Sequence, residues 1–588
     1  MTTLLGRSSF LRQSLFYRGR TALLAVVWSV LLASVALPAL VTFSSSLEAE
    51  GQWSLASYRQ FFTLRQNATL DALVSDWSFW EGSRLFSPGL QALYGSLSIS
   101  VASVLVAALI GIPLAFFVER NSFPGRGPLS ALLLMPLTLP PIVGVVSFDL
   151  IFSEAGILPR LLANLLRFDA PPLFLEGKGG IVAVHGYSFF PFFFLLVSNA
   201  VRELDSSLVE ASRSMGCGRL ATLVRVELPM LTPALFGAAL MVFMSSMASF
   251  SAPLLFDVDG MYLSTHIYNL KTQNLWDEAT TATVIFTLSS LASLLLLRFL
   301  RGNRKFQPVG KGVPRKRHEI SSPLGRAAAL GVSVAVVVLA LLPHLGILLW
   351  SFTRDGSWTH QLLPPSYTLE NYRRILGAGA AEVLEPVRNS FWMAGVATLA
   401  NALFGVAAAY VLKARGVRGK TLSEVMVMLP WALPGTVIAI NLILALSHPT
   451  PLLLGASLAN SVWLLPIAYF IRNIPLVTRP VLAAWERWGE DLEEAARSLG
   501  SGRLRAFGTV SLPLIFPAVV AGAMLAFVTA LGEFIASAVL FTPRNKPISM
   551  AIYGEFHAGA YGLCSAYGVL LILLIATVMV VGGKRIRL

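Results

Sequence analysis

The stretch "EAARSLGSGRL", Glu494–Leu504, decides how this chain is read. It is charged and broken by glycines, so it cannot lie in hydrocarbon, where unpaired polar and charged groups are costly. Yet the sequence on both sides of it is oily. A near copy, "EASRSMGCGRL", Glu210–Leu220, stands earlier in the chain and is identical at eight of eleven positions. Both copies run on to Leu-Pro (Leu228, Pro229; Leu512, Pro513) and then to Pro233 or Pro517. Upstream, "LMPLTLPP" (Leu134–Pro141) pairs with "MLPWALPG" (Met428–Gly435), and "SLASYRQF" (Ser54–Phe61) echoes "TLENYRRI" (Thr368–Ile375). Three echoes in the same order mean that the chain is an internal duplication.

The oily context sets the class. Of 588 residues, 55% are hydrophobic and 13% charged, with a mean hydropathy of +0.69, against about 25% charged residues in ordinary soluble domains. Apolar runs of bilayer-crossing length recur throughout. They predict an all-α polytopic membrane protein with about twelve spans: 22–43, 93–118, 129–153, 181–200, 231–257, 280–300, 327–352, 390–412, 422–447, 453–475, 515–541 and 565–583. The apolar residues come in blocks and do not alternate, which argues against a β-barrel. The apolar core of the first run is too long for a signal peptide. Six spans on each side of a hydrophilic linker give two parallel repeats, divided as 1–310 and 311–588.

Placing the chain's first segment inside puts most of the 45 Lys and Arg on inner segments, nine of them in the 298–326 linker, as the positive-inside bias demands. Both termini are then cytoplasmic. The net charge of +14 is mainly a topology signal, and the linker is a loop near anionic lipid, with no nucleic acid implied. Cys217 and Cys564 fall on opposite sides of the membrane and cannot pair.

Within that topology the repeated stretches, about 203–233 and 487–517, are cytoplasmic. Leu492, Ala495, Ala496 and Leu499 follow i, i+3, i+4, i+7 spacing, as do Leu208, Ala211, Ser212 and Met215, so each copy presents one apolar stripe on a short helix. Ser207 with Glu210, and Asp491 with Glu494, have capping-box spacing. Gly216 and Gly500 stand where a left-handed turn must end the helix. Each copy is a helix-turn-helix, and its duplication suits a partner with two equivalent grooves.

The pattern Glu-Ala-Ala, three residues, Gly, then Leu-Pro resembles the EAA loop of ABC-importer permeases. The fused two-half layout and "LGEFIAS" (Leu531–Ser537) resemble binding-protein-dependent permeases for ferric iron, thiamine and 2-aminoethylphosphonate. The resemblance covers almost the whole chain. It implies a type I ABC importer permease fold in a bacterial inner membrane, with two copies of a cytoplasmic ATPase and an external solute-binding protein as partners. It makes Glu210, Ala211 and Gly216 the coupling residues for one ATPase, and Glu494, Ala495 and Gly500 those for the other. ATP and Mg belong to the ATPase, with no cofactor held by this chain. Ferric iron is the first expectation for the cargo, with thiamine, 2-aminoethylphosphonate or a polyamine as alternatives.

"ARGVRGKT", Ala414–Thr421, loosely matches a phosphate loop, but it fills a short turn between spans, where a buried strand and an α/β domain are required. The chain is therefore expected to be a transport subunit and no enzyme. A six-plus-six secondary transporter is the competing class; it usually needs coupling carboxylates in the membrane, and the candidates are Glu533 and Asp149. These two are the candidate pathway or gate residues, because intramembrane ionisable groups are expensive. His185 and Tyr187 fit core or interfacial roles. Pro136 with Pro140, and Pro430 with Pro434, predict matched kinks in spans 3 and 9.

Overall fold

The computed structural model describes residues 22–586, apart from 50, 65–71, 73–74, 81, 169–173, 302–316, 359–360, 362, 378–380, 414–418, 448–454, 456, 459 and 489–490. The chain is helical. In order, the elements that matter here are α1 (Ala22–Ser46), α2 (Pro88–Arg120), α3 (Arg126–Leu132), α4 (Pro141–Phe152), α5 (Gly177–Glu203), α6 (Ser206–Ser214), α7 (Leu228–Met247), α8 (Ser251–Phe256), α9 (Trp276–Arg301) and α10 (Pro323–Ser351). The second repeat follows with α11 (Ala381–Leu412), α12 (Lys420–Ala432), α13 (Gly435–Ser447), α14 (Leu464–Trp488), α15 (Asp491–Ser498), α16 (Leu512–Leu531), α17 (Ile535–Leu540) and α18 (Tyr561–Ile586).

Among the described residues, ten helices are long and apolar enough to cross a membrane, or eleven if the bent pair α12–α13 counts as one span. Several expected spans are corrected. Span 9 is not a kinked helix: α12 and α13 meet at 109°. Pro434 lacks an N–H, and Leu433 before it is pushed to φ −91°, ψ 133°, the extended region that a pre-proline residue prefers. Span 3 is likewise split, into α3, a 3-10 turn at Met135–Thr138, and α4. Spans 5 and 11 each end early and resume as the short α8 and α17. The helix at the expected span 10, α14, runs from 464 to 488 with Arg472 and Arg479 on it, and it is not among the helices apolar enough to count as a span.

Both repeats carry a five-residue π-helical stretch, Leu223–Glu227 and Phe507–Ser511, just ahead of Leu-Pro. Its cause is local. Pro229 and Pro513 cannot donate to the carbonyl four residues back, and their rings crowd it. A wider turn relieves that crowding, with Leu228 N–H reaching back to the Leu223 carbonyl and Leu512 N–H to that of Phe507.

Packing divides the chain into two compact units. One gathers Met1–Trp53, Ala378–Ala551 and Leu573–Leu588; the other gathers Ser54–Gly377 and Ile552–Ile572. The first span of each repeat therefore belongs to the unit built mainly from the other repeat. In the first unit Val27 and Leu31 of α1 enter a core with Phe404, Val427, Val477 and Trp485. In the second, α10 packs on α4 and α3, and Ala107, Phe190, Phe193 and Val242 form a core where α2, α5 and α7 meet. Close helix approach depends on missing side chains: a Cβ at Gly522 would stand 2.8 Å from the Leu476 carbonyl oxygen and 2.9 Å from Val477 Cα.

Candidate functional site

The two repeated loops are built alike. α6 is followed by the left-handed Gly216 (φ +86°), and α15 by Gly500 (φ +89°). In the first copy Cys217 N–H reaches the Ser212 carbonyl at 3.1 Å and Gly216 N–H the Arg213 carbonyl at 2.9 Å. In the second, Ser501 N–H reaches Ala496 and Gly500 N–H reaches Arg497, both at 3.0 Å. These paired bonds are the Schellman arrangement, so the sequence expectation for both glycines holds. One detail is corrected at the other end of α6. The capping side chain is Asp205, which accepts the Ser207 N–H at 3.0 Å, since Ser207 already has helical backbone.

The apolar stripe is exposed. In the first copy Leu208 is 39% exposed, Met215 78% and Leu220 74%; in the second Leu492 is 45%, Leu499 90% and Leu504 88% exposed. Glu210, Ala211 and Gly216, and Glu494, Ala495 and Gly500, all lie on the same exposed loops. Ser212 departs from the expected stripe. It is buried and bonds Thr222 Oγ1 at 3.1 Å, tying α6 to the helix after the turn.

Ionic anchors hold these loops to the helix ends, and sequence reading had not singled them out. Lys413, at the end of α11, reaches Glu493 Oε2 of α15 at 3.1 Å, and Ser511 Oγ donates to the same oxygen at 3.1 Å. The Lys413 ammonium also sits 4.5 Å from the Trp485 ring centre. In the first repeat Arg120 pairs with Glu227 in the π-helical stretch. Beside it the buried Glu119 gathers three arginines: Arg126 and Arg202 at 2.7 Å, and Arg317 at 3.2 Å. Arg317 belongs to the linker, whose His318–Glu319 lies parallel to Asn121–Ser122. A lone Glu at the end of an apolar run, with arginines spread along 200 residues, is a signal only once the helix ends are brought together.

Of the two pathway candidates, Glu533 falls at a helix break and Asp149 within a helix. Glu533 lies between α16 and α17 and is 6% exposed. Its Oε1 accepts from Arg472 Nη1 at 3.2 Å and from the Ala536 N–H at 3.0 Å, and its carbonyl accepts from Ser537 and Ser549. At the matching break Ser249 bonds His185 Nε2 at 2.9 Å, while Ser103 and Ser246 face Nδ1 at 3.1 and 3.0 Å. His185 is thus a buried, hydrogen-bonded core residue, and Tyr187 donates to the Ala340 carbonyl at 2.7 Å. Asp149 is half-buried on α4, one turn from its end. The loose phosphate-loop match that the sequence reading set aside lies mostly outside the described residues; Lys420, which is within them, faces Glu424 on its own helix at 3.9 Å.

Two further loops are internally braced. Asp76 accepts from Ser83 Oγ at 2.8 Å and from the Arg84 N–H at 2.6 Å; these bonds hold its carboxyl below the usual range. Asn371 Nδ2 bridges the carbonyls of Ser351 and Thr353 at 3.0 and 2.7 Å, and Asp355 Oδ1 accepts the Gly562 N–H at 2.7 Å.

Comparison with known proteins gives the class. The family model described as "Binding-protein-dependent transport system inner membrane component" matches residues 85–303 and again 401–583. The chain belongs to that family and contains its domain twice. It is 30% identical to a probable ABC transporter permease protein, y4fN, of Sinorhizobium fredii, over 78% of this chain and 81% of that one. It is 26% identical to the ferric transport system permease protein FbpB of Actinobacillus pleuropneumoniae, over 84% of this chain and 72% of that one. The sulfate transport system permease protein CysT of Salmonella typhimurium is 32% identical over 38% of this chain and 76% of its own length, as a relative about half as long would be. The chain is a multi-pass permease subunit of the ABC importer class, with two domain copies fused in one polypeptide.

Proposed function

We propose that this permease moves a small solute inward by alternating access, driven by two copies of a cytoplasmic ABC ATPase docked on α6 and α15. The observation that carries this reading is the matched pair of exposed apolar loop faces: two helices, each closed by a left-handed glycine, each showing leucine or methionine to solvent. Contiguous exposed apolar faces mark surfaces that another molecule covers. A partner with two equivalent grooves covers both, and ATP-driven closure of those grooves would draw the loops together. Both termini lie on the ATPase side in this arrangement. A solute-binding protein docks on the opposite side, on loops that include 44–92 and 353–389. Ferric iron is the proposed cargo, supported by the relative named as a ferric transport permease.

The test is to co-express the chain with its candidate ATPase and purify the complex. Met215→Asp and Leu499→Asp change side chains that are largely exposed in the chain alone, so the chain should insert and fold as before. Each should lower ATPase retention, and the double variant should abolish it. Full retention by the double variant with normal uptake overturns the coupling role of these loops.

A further inference from the structure

Arg472 lies on α14, eight residues in from its start, about 12 Å along the helix at ~1.5 Å per residue. Its single contact with Glu533 leaves the pair lopsided. Glu533 is sheltered, with 5% of its side chain exposed, while the Arg472 side chain keeps 26%. Glu533 Oε1 is already engaged twice, by Arg472 and by the Ala536 N–H. A guanidinium carries five N–H donors and no acceptor, and among the described residues Nη1 meets one protein acceptor, Glu533.

That guanidinium is seated against the first residue of α13: a Cβ at Gly435 would collide with Nη1 and would stand 3.1 Å from Ile535 Cβ. The next residue, Thr436, is fully buried, and its Oγ1 has no hydrogen-bond partner among the described residues. A buried hydroxyl without a partner is uncommon in a folded protein. The α12–α13 bend thus brings Gly435 against Arg472 and Ile535, and the residue after that glycine carries a spare hydroxyl able to donate or accept.

The fold does not demand this chemistry. The first repeat builds both breaks without it, with Ser188, Ser249 and Ile142 at the positions of Arg472, Glu533 and Thr436. A half-covered cation in a helix bundle, absent from the equivalent place in the other repeat, is a functional feature before it is a scaffold one.

We propose that Arg472, helped by the hydroxyl of Thr436 next to Gly435 in the chain, binds an anionic group, a carboxylate or oxyanion, of the transported solute, and that Glu533 positions the guanidinium until that group arrives. Planar bidentate recognition of such a group is what a guanidinium does best. The group can be part of the solute or an anionic shell around a cation; a bare cation is disfavoured. This rests on the importer reading above only for the word "transported".

The full chain in lipid nanodiscs is titrated with inorganic phosphate, sulfate and citrate, following heat of binding and thermal unfolding. At least one anion should bind, and Arg472→Gln should weaken it about tenfold or more, as expected for loss of a charge-assisted pair. Gly435→Ala, which pushes the guanidinium aside, and Thr436→Val, which removes the hydroxyl, should weaken it severalfold. Thr436→Val should leave the unfolding temperature of the anion-free chain unchanged or raised, which separates binding from folding. No binding to the wild type, or equal binding in all three variants (an adventitious ion only), overturns the site. The assembled transporter is then given the same anions, labelled. Uptake that falls in parallel with binding in the variants assigns the anion to the solute; binding with no effect of Arg472→Gln on uptake overturns that assignment. Anion binding that persists when the Met215/Leu499 double variant still retains its ATPase leaves the site standing and removes the coupling reading alone.

Discussion

At the scale of residues, two glycines, a glutamate and a histidine have testable consequences. Gly216 and Gly500 have open space where a Cβ would go, so their value is the positive φ alone. Gly500→Ala should cost about 1 kcal/mol locally. Gly500→Asp adds a negative charge at a helix C-terminus, where the dipole already opposes it. It should leave the spans inserted yet release or uncouple the ATPase, and Gly216→Asp should do the same at the other loop. ATPase retention and coupled uptake of the two purified variants measure this. Glu119 is a different case, a buried carboxylate compensated by three arginines. Glu119→Gln removes the counter-charge while the arginines remain; because Arg202 and Arg317 are about half exposed and water can solvate them, a measurable drop in unfolding temperature is expected, smaller than for a fully buried pair. His266, half-buried beside Glu278 and Phe61, has its pKa held down to about 4 by desolvation. The folded chain keeps this imidazole neutral, while the unfolded chain takes a proton near 6.5. Stability should therefore fall as pH drops from about 6.5 towards 4, and His266→Gln should flatten that part of the profile.

At the scale of elements, the proline pairs predicted bends, and the structure made them breaks. The difference is quantitative. A proline inside a helix removes one bond and kinks it, but Leu433 before Pro434 is fully extended, so the chain leaves the helix altogether. The α12–α13 corner then seats Gly435 against Arg472 and Ile535, contacts that a straight span could not make. Pro434→Ala should partly restore a continuous helix. With spin labels on cysteines placed at Val425 and Ile443, in a background lacking Cys217 and Cys564, the label separation should rise towards about 27 Å, the length of 18 helical residues at ~1.5 Å each. An unchanged separation would mean that tertiary contacts, and not the proline, hold the corner.

At the scale of the whole molecule, the family places the chain among the membrane components of binding-protein-dependent transport systems, and the energy source is proposed to be a separate subunit. The purified chain alone should show no ATP turnover. Turnover that Lys420→Ala abolishes would restore the phosphate-loop reading. Arg317 and the short parallel pairing at His318–Glu319 tie the start of the second repeat to the helix ends of the first. Arg317→Ala should lower thermal stability less than Glu119→Gln, because two arginines still face the carboxylate.

Much of this was written in the linear order of residues. The many apolar helices, the duplication, the exposed apolar stripe and the left-handed glycines were legible because each depends on neighbours within about a helical turn or on long apolar runs, and those forces act before the chain has a fold. The exact span limits were less so: α14 begins eleven residues later than the apolar run suggested, since Arg472 and Arg479 could enter a helix whose packing partners were not yet known. Tertiary structure alone decided the rest. It put the first span of each repeat into the other repeat's unit, gathered Arg126, Arg202 and Arg317 around Glu119, and set Arg472 beside Glu533 and Gly435. Each of these brings together groups far apart in sequence, and the cost or gain of a buried charge depends on which partners reach it, a quantity that no local pattern contains.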